Sequence, residues 1–294
     1  MTASESAGTA VRIDDLAVEY PARRPSPAHR AIDGVSLAIA ADEVVGIIGE
    51  TGSGKSTLAR VLAGDLVAPR GADAPPVITG GDATVLGHRL RGIRRRELTQ
   101  LTFEVAFLPQ DAASRLAPEL TVAEVIAQPI LQRDKHYNRK AVGLRVATML
   151  DAVQLPLAVL DKFPFELSSG QRQRVAIARS LVLGPRLWVA DEPTAGIDVT
   201  VRSAINDLIA RLREEGSFSA VLVSHDLPLL RHTTCRVAAL HQGRIVGLAP
   251  IDELLTAGEH PFLVGLSESD HRVPNTPKTA DSALDLASAI PLVK

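Results

Sequence analysis

The stretch that decides the fold is Val44-Val45-Gly46-Ile47-Ile48-Gly49-Glu50-Thr51-Gly52-Ser53-Gly54-Lys55-Ser56. Its first part, Val44 to Ile48, is short, β-branched and bounded by glycine, which predicts a buried strand. Downstream, Leu58, Val61, Leu62 and Leu66 recur at helical spacing and predict a helix over Lys55 to Leu66. Between strand and helix, Gly49 to Ser56 fits the P-loop pattern G-x-x-x-x-G-K-S/T. Glycines let the backbone N–H groups turn inward and approach phosphate oxygens. The helix that starts at Lys55 directs free N–H groups and its dipole at the same anion. Lys55 is placed to reach the terminal phosphates, the Ser56 hydroxyl to hold Mg²⁺, and Thr57 to extend the cradle.

Apolar runs of strand length alternate with helical patterns along the rest of the chain, the mark of an α/β fold. Leu187 to Ala190 and Ala220 to Val223 read as further buried strands, Arg70 to Gly81 as a loop, and Leu120 to Phe163 as mainly helical, broken at Pro129 and Pro156. Residues 1–10 read as a disordered start, and 267–294, rich in small polar residues, as a mobile tail. No internal repeat is visible.

Leu187-Trp188-Val189-Ala190 runs into Asp191 and Glu192. Alone, such a pair is a strand ending in solvated acids. With a P-loop upstream, acids at a strand's carboxyl end lie where open α/β sheets bind ligands. Asp191 is then the Mg²⁺ partner, and Glu192 orients or deprotonates an attacking water.

Composition narrows the classes. The 32 Lys and Arg against 34 Asp and Glu leave −2, which argues against a nucleic-acid binder held by bulk positive charge. Aromatics at 3% supply few stacking platforms for single strands. Cys235 is the only cysteine, so there is no intramolecular disulfide and no multi-thiolate cluster. The polar start carries no secretory signal, and no apolar run approaches the ~20 residues of a membrane span. The reading is a soluble, cytoplasmic chain.

Leu167-Ser168-Ser169-Gly170-Gln171-Arg172-Gln173-Arg174 resembles L-S-G-G-Q, the signature of the ATP-binding-cassette (ABC) ATPases. The order P-loop, Gln110, signature, Asp191-Glu192, Asp198, His225 is similar to theirs, over roughly Val11 to Leu266. The resemblance implies a P-loop, RecA-like core with an antiparallel β subdomain and a helical subdomain at about 118–163. It implies that Tyr20 stacks on adenine, that Gln110 touches Mg²⁺ and the attacking water, and that Asp198 belongs to a loop crossing a dimer interface. It also implies that His225 contacts the γ-phosphate, and that Ser168, Gly170 and Gln171 bind ATP held by the opposite chain. Read on their own, Ser168 and Ser169 predict a capped helix start. Ser169 stands where the family has glycine, either crowding the γ-phosphate or pointing away, and Asp42 where a glycine commonly precedes Glu43.

Three segments resemble the peptide and nickel importer branch: Gln110 to Pro118, Ile126-Ala127-Gln128-Pro129-Ile130, and His260-Pro261-Phe262-Leu263-Val264-Gly265-Leu266. The branch implies an ATP-hydrolysing subunit of a peptide importer at the cytoplasmic face of the membrane. Its implied partners are a second ATP-binding subunit (a heterodimer first, a homodimer second), two membrane permeases, and through them an external solute-binding protein. Two other classes compete. A cassette acting on nucleic acid or ribosomes carries two cassettes or a long coiled-coil insertion, and this chain shows neither. A soluble cassette in a metabolic enzyme complex, such as that of phosphonate breakdown, resembles the same branch.

Overall fold

A computed structural model describes residues 8–22, 27–66, 75–214 and 218–272. An antiparallel sheet has the order β2-β1-β4-β5, formed by β1 (Thr9–Tyr20), β2 (His29–Ala40), β4 (Val77–Val85) and β5 (His88–Arg89). In β1 the buried residues change parity, from Val11 and Ile13 to Leu16 and Val18. The register slips between Ile13 and Leu16, where Asp15 takes φ +48°. An extra residue there flips the remainder of the strand, which keeps its apolar side on the core.

The second sheet has the order β10-β9-β3-β8-β7-β6. Its strands are β3 (Val44–Gly49), β6 (Val105–Leu108), β7 (Leu187–Asp191), β8 (Ser219–Val223), β9 (Arg236–His241) and β10 (Arg244–Ala249). All neighbours pair in parallel except β10 with β9. The period of two divides the central strands between two cores. Val45, Ile47, Val189, Val221 and Val223 pack with the first sheet and α1 (Lys55–Leu62). Val44, Ile48, Trp188, Ala220 and Leu222 pack on the opposite face. There they meet α3 (Val122–Arg133), α4 (Arg139–Ala152), α5 (Ser169–Leu181) and α6 (Val199–Glu214). Burial on both faces is why these strands are continuously apolar. The remaining helices are α2 (Arg95–Glu104), α7 (Leu227–Thr233), α8 (Ile251–Ala257) and α9 (Pro261–Arg272). Among the described residues no helix is long and apolar enough to cross a membrane.

Several boundaries differ from the sequence reading. The chain is already in β1 at Thr9, paired with Ala40, so the ordered part starts before residue 11. Helix α1 stops at Leu62, and Gly64, at φ +73°, turns the chain before Leu66. Strand β4 takes Val77 to Gly81 out of the supposed loop, because pairing with β1 overrides local glycine content. Pro129 sits inside α3 without ending it. Its missing hydrogen bond and ring clash cost about 3 kcal/mol. Burying Val125, Ile126 and Ile130 offsets this at roughly 1.5–3 kcal/mol each. Helix α9 runs to Arg272, past the boundary at Leu266, and the tail beyond it lies outside the described residues.

Candidate functional site

The parallel strands end along one edge of the second sheet, and the P-loop leaves β3 there. At Gly49 a Cβ would collide with the Leu240 carbonyl and the Ser53 hydroxyl. At Gly54, with φ +103°, it would collide with the Ala31 carbonyl. These two positions accept no side chain. Gly54 is also the N-cap of α1, with no side-chain cap and no acid in the first turn, so the first N–H groups stay available to an anion. Glu50, Thr51, Gly52 and Ser56 are exposed on the loop, while Ser53, Lys55 and Thr57 are buried. The Lys55 ammonium donates to the Gly49 carbonyl at 2.8 Å and the Glu50 carbonyl at 2.7 Å. Burial pushes its pKa down, against the opposing pull of Glu192, Asp191 and Glu50. The Ser53 hydroxyl is buried without a hydrogen-bond partner. A buried ammonium, a free helix start and an orphaned hydroxyl fit a phosphate group.

Asp191 ends β7 and hydrogen-bonds the Ser56 hydroxyl. Hydroxyl and carboxylate oxygens are the hard donors that Mg²⁺ takes, so these residues fit that ion. Burial raises the Asp191 pKa, opposed by Ser56 and the charges of Lys55 and His225. Glu192 follows with φ +53°, a left-handed conformation that a non-glycine residue holds only under constraint. The constraint is visible: its backbone N–H donates to Val223 at 2.8 Å. Its side chain accepts from the Ser224 hydroxyl at 3.5 Å and from the backbone N–H of His225. The other carboxylate oxygen is buried without a hydrogen bond, 3.6 Å from His225 Nε2. Burial raises the Glu192 pKa; Asp191 adds to this, while the His225 amide, Lys55 and Ser224 oppose it. The His225 imidazole is pushed below its usual pKa by burial and by Lys55, opposed by Asp191. The structure therefore gathers Lys55, Ser56, Asp191, Glu192 and His225 at one sheet edge.

The raised carboxylates set a stability prediction. A carboxyl whose folded pKa exceeds its unfolded value contributes stability that is present below the unfolded pKa, near 4. That contribution is lost as pH rises through the folded pKa. Asp191→Asn, which removes the buried charge and keeps an oxygen facing Ser56, should raise the Tm of the nucleotide-free protein at pH 7. The gain should shrink as pH falls toward 4. Thermal unfolding at both pH values checks this, and an unchanged or lower Tm at pH 7 counts against it.

Ser168 is the N-cap of α5: its hydroxyl accepts from the Gln171 N–H at 3.2 Å, and Gln171 Oε1 accepts from the Ser168 N–H at 3.0 Å. Both side chains are thus engaged in a reciprocal cap. A Cβ on Gly170 would stand 3.1 Å from the Gly196 carbonyl, so this helix start lies against the loop that carries Asp198, itself exposed. The extra side chain at Ser169 faces the same loop, its Cβ 3.9 Å from where a Cβ on Gly196 would be. Asp42 takes φ +61°, which explains a glycine preference there, and its N–H donates to the Ser219 hydroxyl at 3.0 Å.

Tyr20 ends β1, a strand paired on both sides, and is itself paired with His29 of β2. Its hydroxyl shares 3.3 Å hydrogen bonds with Thr57 and Arg60, which sets the ring beside α1. Gln110 lies two residues past β6 and is exposed, and its neighbour Asp111 acts electrostatically on Asp191. The Gln110 side chain is not among the hydrogen-bond partners of Asp191.

Sequence reasoning missed three supports. Gln173 is buried and donates to the carbonyls of Pro193 at 3.1 Å and Glu192 at 3.4 Å, tying α5 to the turn after β7. Arg202 pairs with Asp226 at 2.6 Å and donates to the Ile197 carbonyl at 3.2 Å. Asp226 also caps α7 and accepts from Thr194 at 3.4 Å. Only the Asp226 cap had a local signal, an acid just before Leu227-Pro228. The other ties join residues far apart in the chain.

The fold and this site define a P-loop nucleotide-binding α/β protein. Residues 32–195 match the family described as ABC transporter. The chain is 32% identical over 263 residues to the oligopeptide transport ATP-binding protein OppF of Salmonella typhimurium, covering 87% of this chain and 76% of the relative. It is 34% identical over 257 residues to OppF of Lactococcus lactis, covering 86% of this chain and 77% of that one. Among solved structures it is similar to an ATP-binding cassette captured as a dimer after hydrolysis with ADP and phosphate. That likeness has a TM-score of 0.72 and 27% identity, over 82% of this chain and 98% of the other. The chain belongs to the ABC transporter family and is one of its ATPase cassettes.

Proposed function

We propose that this chain is the ATP-hydrolysing subunit of a peptide importer. The gathering of Lys55, Ser56, Asp191, Glu192 and His225 at one sheet edge carries the reading. The relatives named for oligopeptide transport support the substrate class. The N–H groups of Gly49 to Ser56, with Thr57, cradle the phosphates, and Lys55 neutralises their charge. Ser56 and Asp191, with Gln110 moving in, would hold Mg²⁺, which supplies further charge neutralisation. Glu192, its pKa raised by burial, accepts a proton from the attacking water, and His225 contacts the γ-phosphate. Tyr20 stacks on adenine.

One P-loop and one signature per chain imply a dimer in which Ser168, Gly170 and Gln171 close the site of the opposite chain, with Asp198 at the crossing. ATP joins two half-sites and hydrolysis releases them. A related second ATPase is the favoured partner. The helical segment at 118–163 receives two membrane permeases, which hold the chain at the cytoplasmic face and connect it to an external solute-binding protein.

Co-purification with intact membranes, followed by ATPase assay of the complex in liposomes, tests this. Permeases in the complex and stimulation by peptide are expected. Capture of soluble enzyme subunits instead overturns the transporter reading in favour of a cassette serving a metabolic complex.

A further inference from the structure

The His260-Pro261-Phe262 segment has no part in the site described above, yet it reaches the P-loop. Strand β9 runs parallel to β3 with Leu240 opposite Gly49, so the next residue, His241, emerges beside Glu50. A histidine ending a strand usually turns to water, but only 24% of this side chain is exposed. Its Nδ1 is buried without a hydrogen bond, 3.4 Å from the Glu50 carboxylate. The ring rests against His260, centroids 4.8 Å apart, and against Phe262 at 6.3 Å.

That platform is tied to the helix behind it. His260 Nδ1 accepts the Phe262 N–H at 3.2 Å, and its carbonyl accepts the Leu263 N–H at 2.8 Å, which starts α9. Leu263 is fully embedded in the core. On the other side, Glu50 is the hinge of the P-loop: its carbonyl accepts Lys55 Nζ at 2.7 Å and the Ser53 N–H at 3.1 Å. A displacement of Glu50 is therefore a displacement of the phosphate lysine.

We infer that His241, seated on His260 and Phe262, is a positioning residue for the P-loop, so that the start of α9 sets ATP affinity through Glu50. At 3.4 Å the two groups are already within reach, and only their mutual orientation has to change for a hydrogen bond to form. That bond forms when phosphate orders the loop. This inference rests on the ATP-binding reading.

The test is equilibrium binding of a fluorescent ATP analogue to the full chain, with ATPase kinetics of the complex and thermal unfolding alongside. His241→Leu should weaken binding by about 3- to 10-fold and raise KM with kcat unchanged. His241→Asn, which keeps a donor near the Nδ1 position, should restore affinity. Phe262→Ala, remote from the cradle, should weaken it less, and its effect should be non-additive with Glu50→Gln. Wild-type affinity in a folded His241→Leu protein overturns the inference, as does an Asn variant as weak as Leu. If His241→Leu does not fold, the Phe262–Glu50 cycle decides, and strict additivity overturns the inference. Failure of the wild-type chain to bind the analogue overturns the ATP-binding reading itself and needs no variant to be seen.

Discussion

Glu192→Gln should reduce ATP hydrolysis by about 10²- to 10⁴-fold, the range for removing a positioned general base. The amide is isosteric and still accepts from the His225 N–H and the Ser224 hydroxyl, so the turn and its left-handed backbone should persist. What disappears is the carboxylate proposed to accept the water's proton. The carboxylate oxygen near His225 is buried and unbonded, the state of a base awaiting a water. Burial, which raises its pKa, makes it a stronger base than a surface glutamate. Nucleotide binding should survive, because Glu192 opposes rather than attracts phosphate charge. Phosphate release measured beside analogue binding separates the two, and undiminished hydrolysis would remove Glu192 from the catalytic role.

Lys55→Ala should act on the other quantity. Truncating one partner of a buried charge pair costs about 2–5 kcal/mol, so ATP affinity should fall by roughly 30- to 4,000-fold. The ammonium is buried and holds only two loop carbonyls, so without nucleotide its charge is answered mainly by the acids at the sheet edge. A phosphate replaces that weak arrangement with direct charge pairing. The substitution also removes the Lys55 bonds to the Gly49 and Glu50 carbonyls, leaving the Ser53 N–H on Glu50 as the bond that still ties the loop. Titration with a fluorescent ATP analogue checks this, and an affinity within twofold of wild type would contradict it. Unlike Glu192→Gln, this variant should fail before the chemical step, and the contrast distinguishes the cradle from the base.

Much of this site was legible because its parts are local. The P-loop is a contiguous run whose glycines answer collisions with Leu240 and Ala31, so the demand is written at single positions. Ser168 and Gln171 announce a capping box within four residues. Asp191 and Glu192 end a strand whose apolar run is unmistakable. The elements misread are those whose local signals lost to pairing or packing. Val77 to Gly81 looked like a loop and became strand because β1 offered partners. Pro129 looked like a break, yet the burial of its neighbours kept the helix going.

The sequence by itself determined the chemistry on offer: a phosphate loop, two acids, a histidine and a signature, each encoded by short-range backbone and side-chain requirements. Only the tertiary structure decided how these parts touch. Pairing β7 with β8 put His225 beside Glu192, and pairing β3 with β9 put His241 beside Glu50. The folded chain also let Gln173 reach the turn after β7 and Arg202 reach Asp226. The physical reason is that strand order follows from burying two apolar faces at once, a property of the whole sheet. No window of residues carries it, so contacts across the sheet edge exist only once the chain has folded.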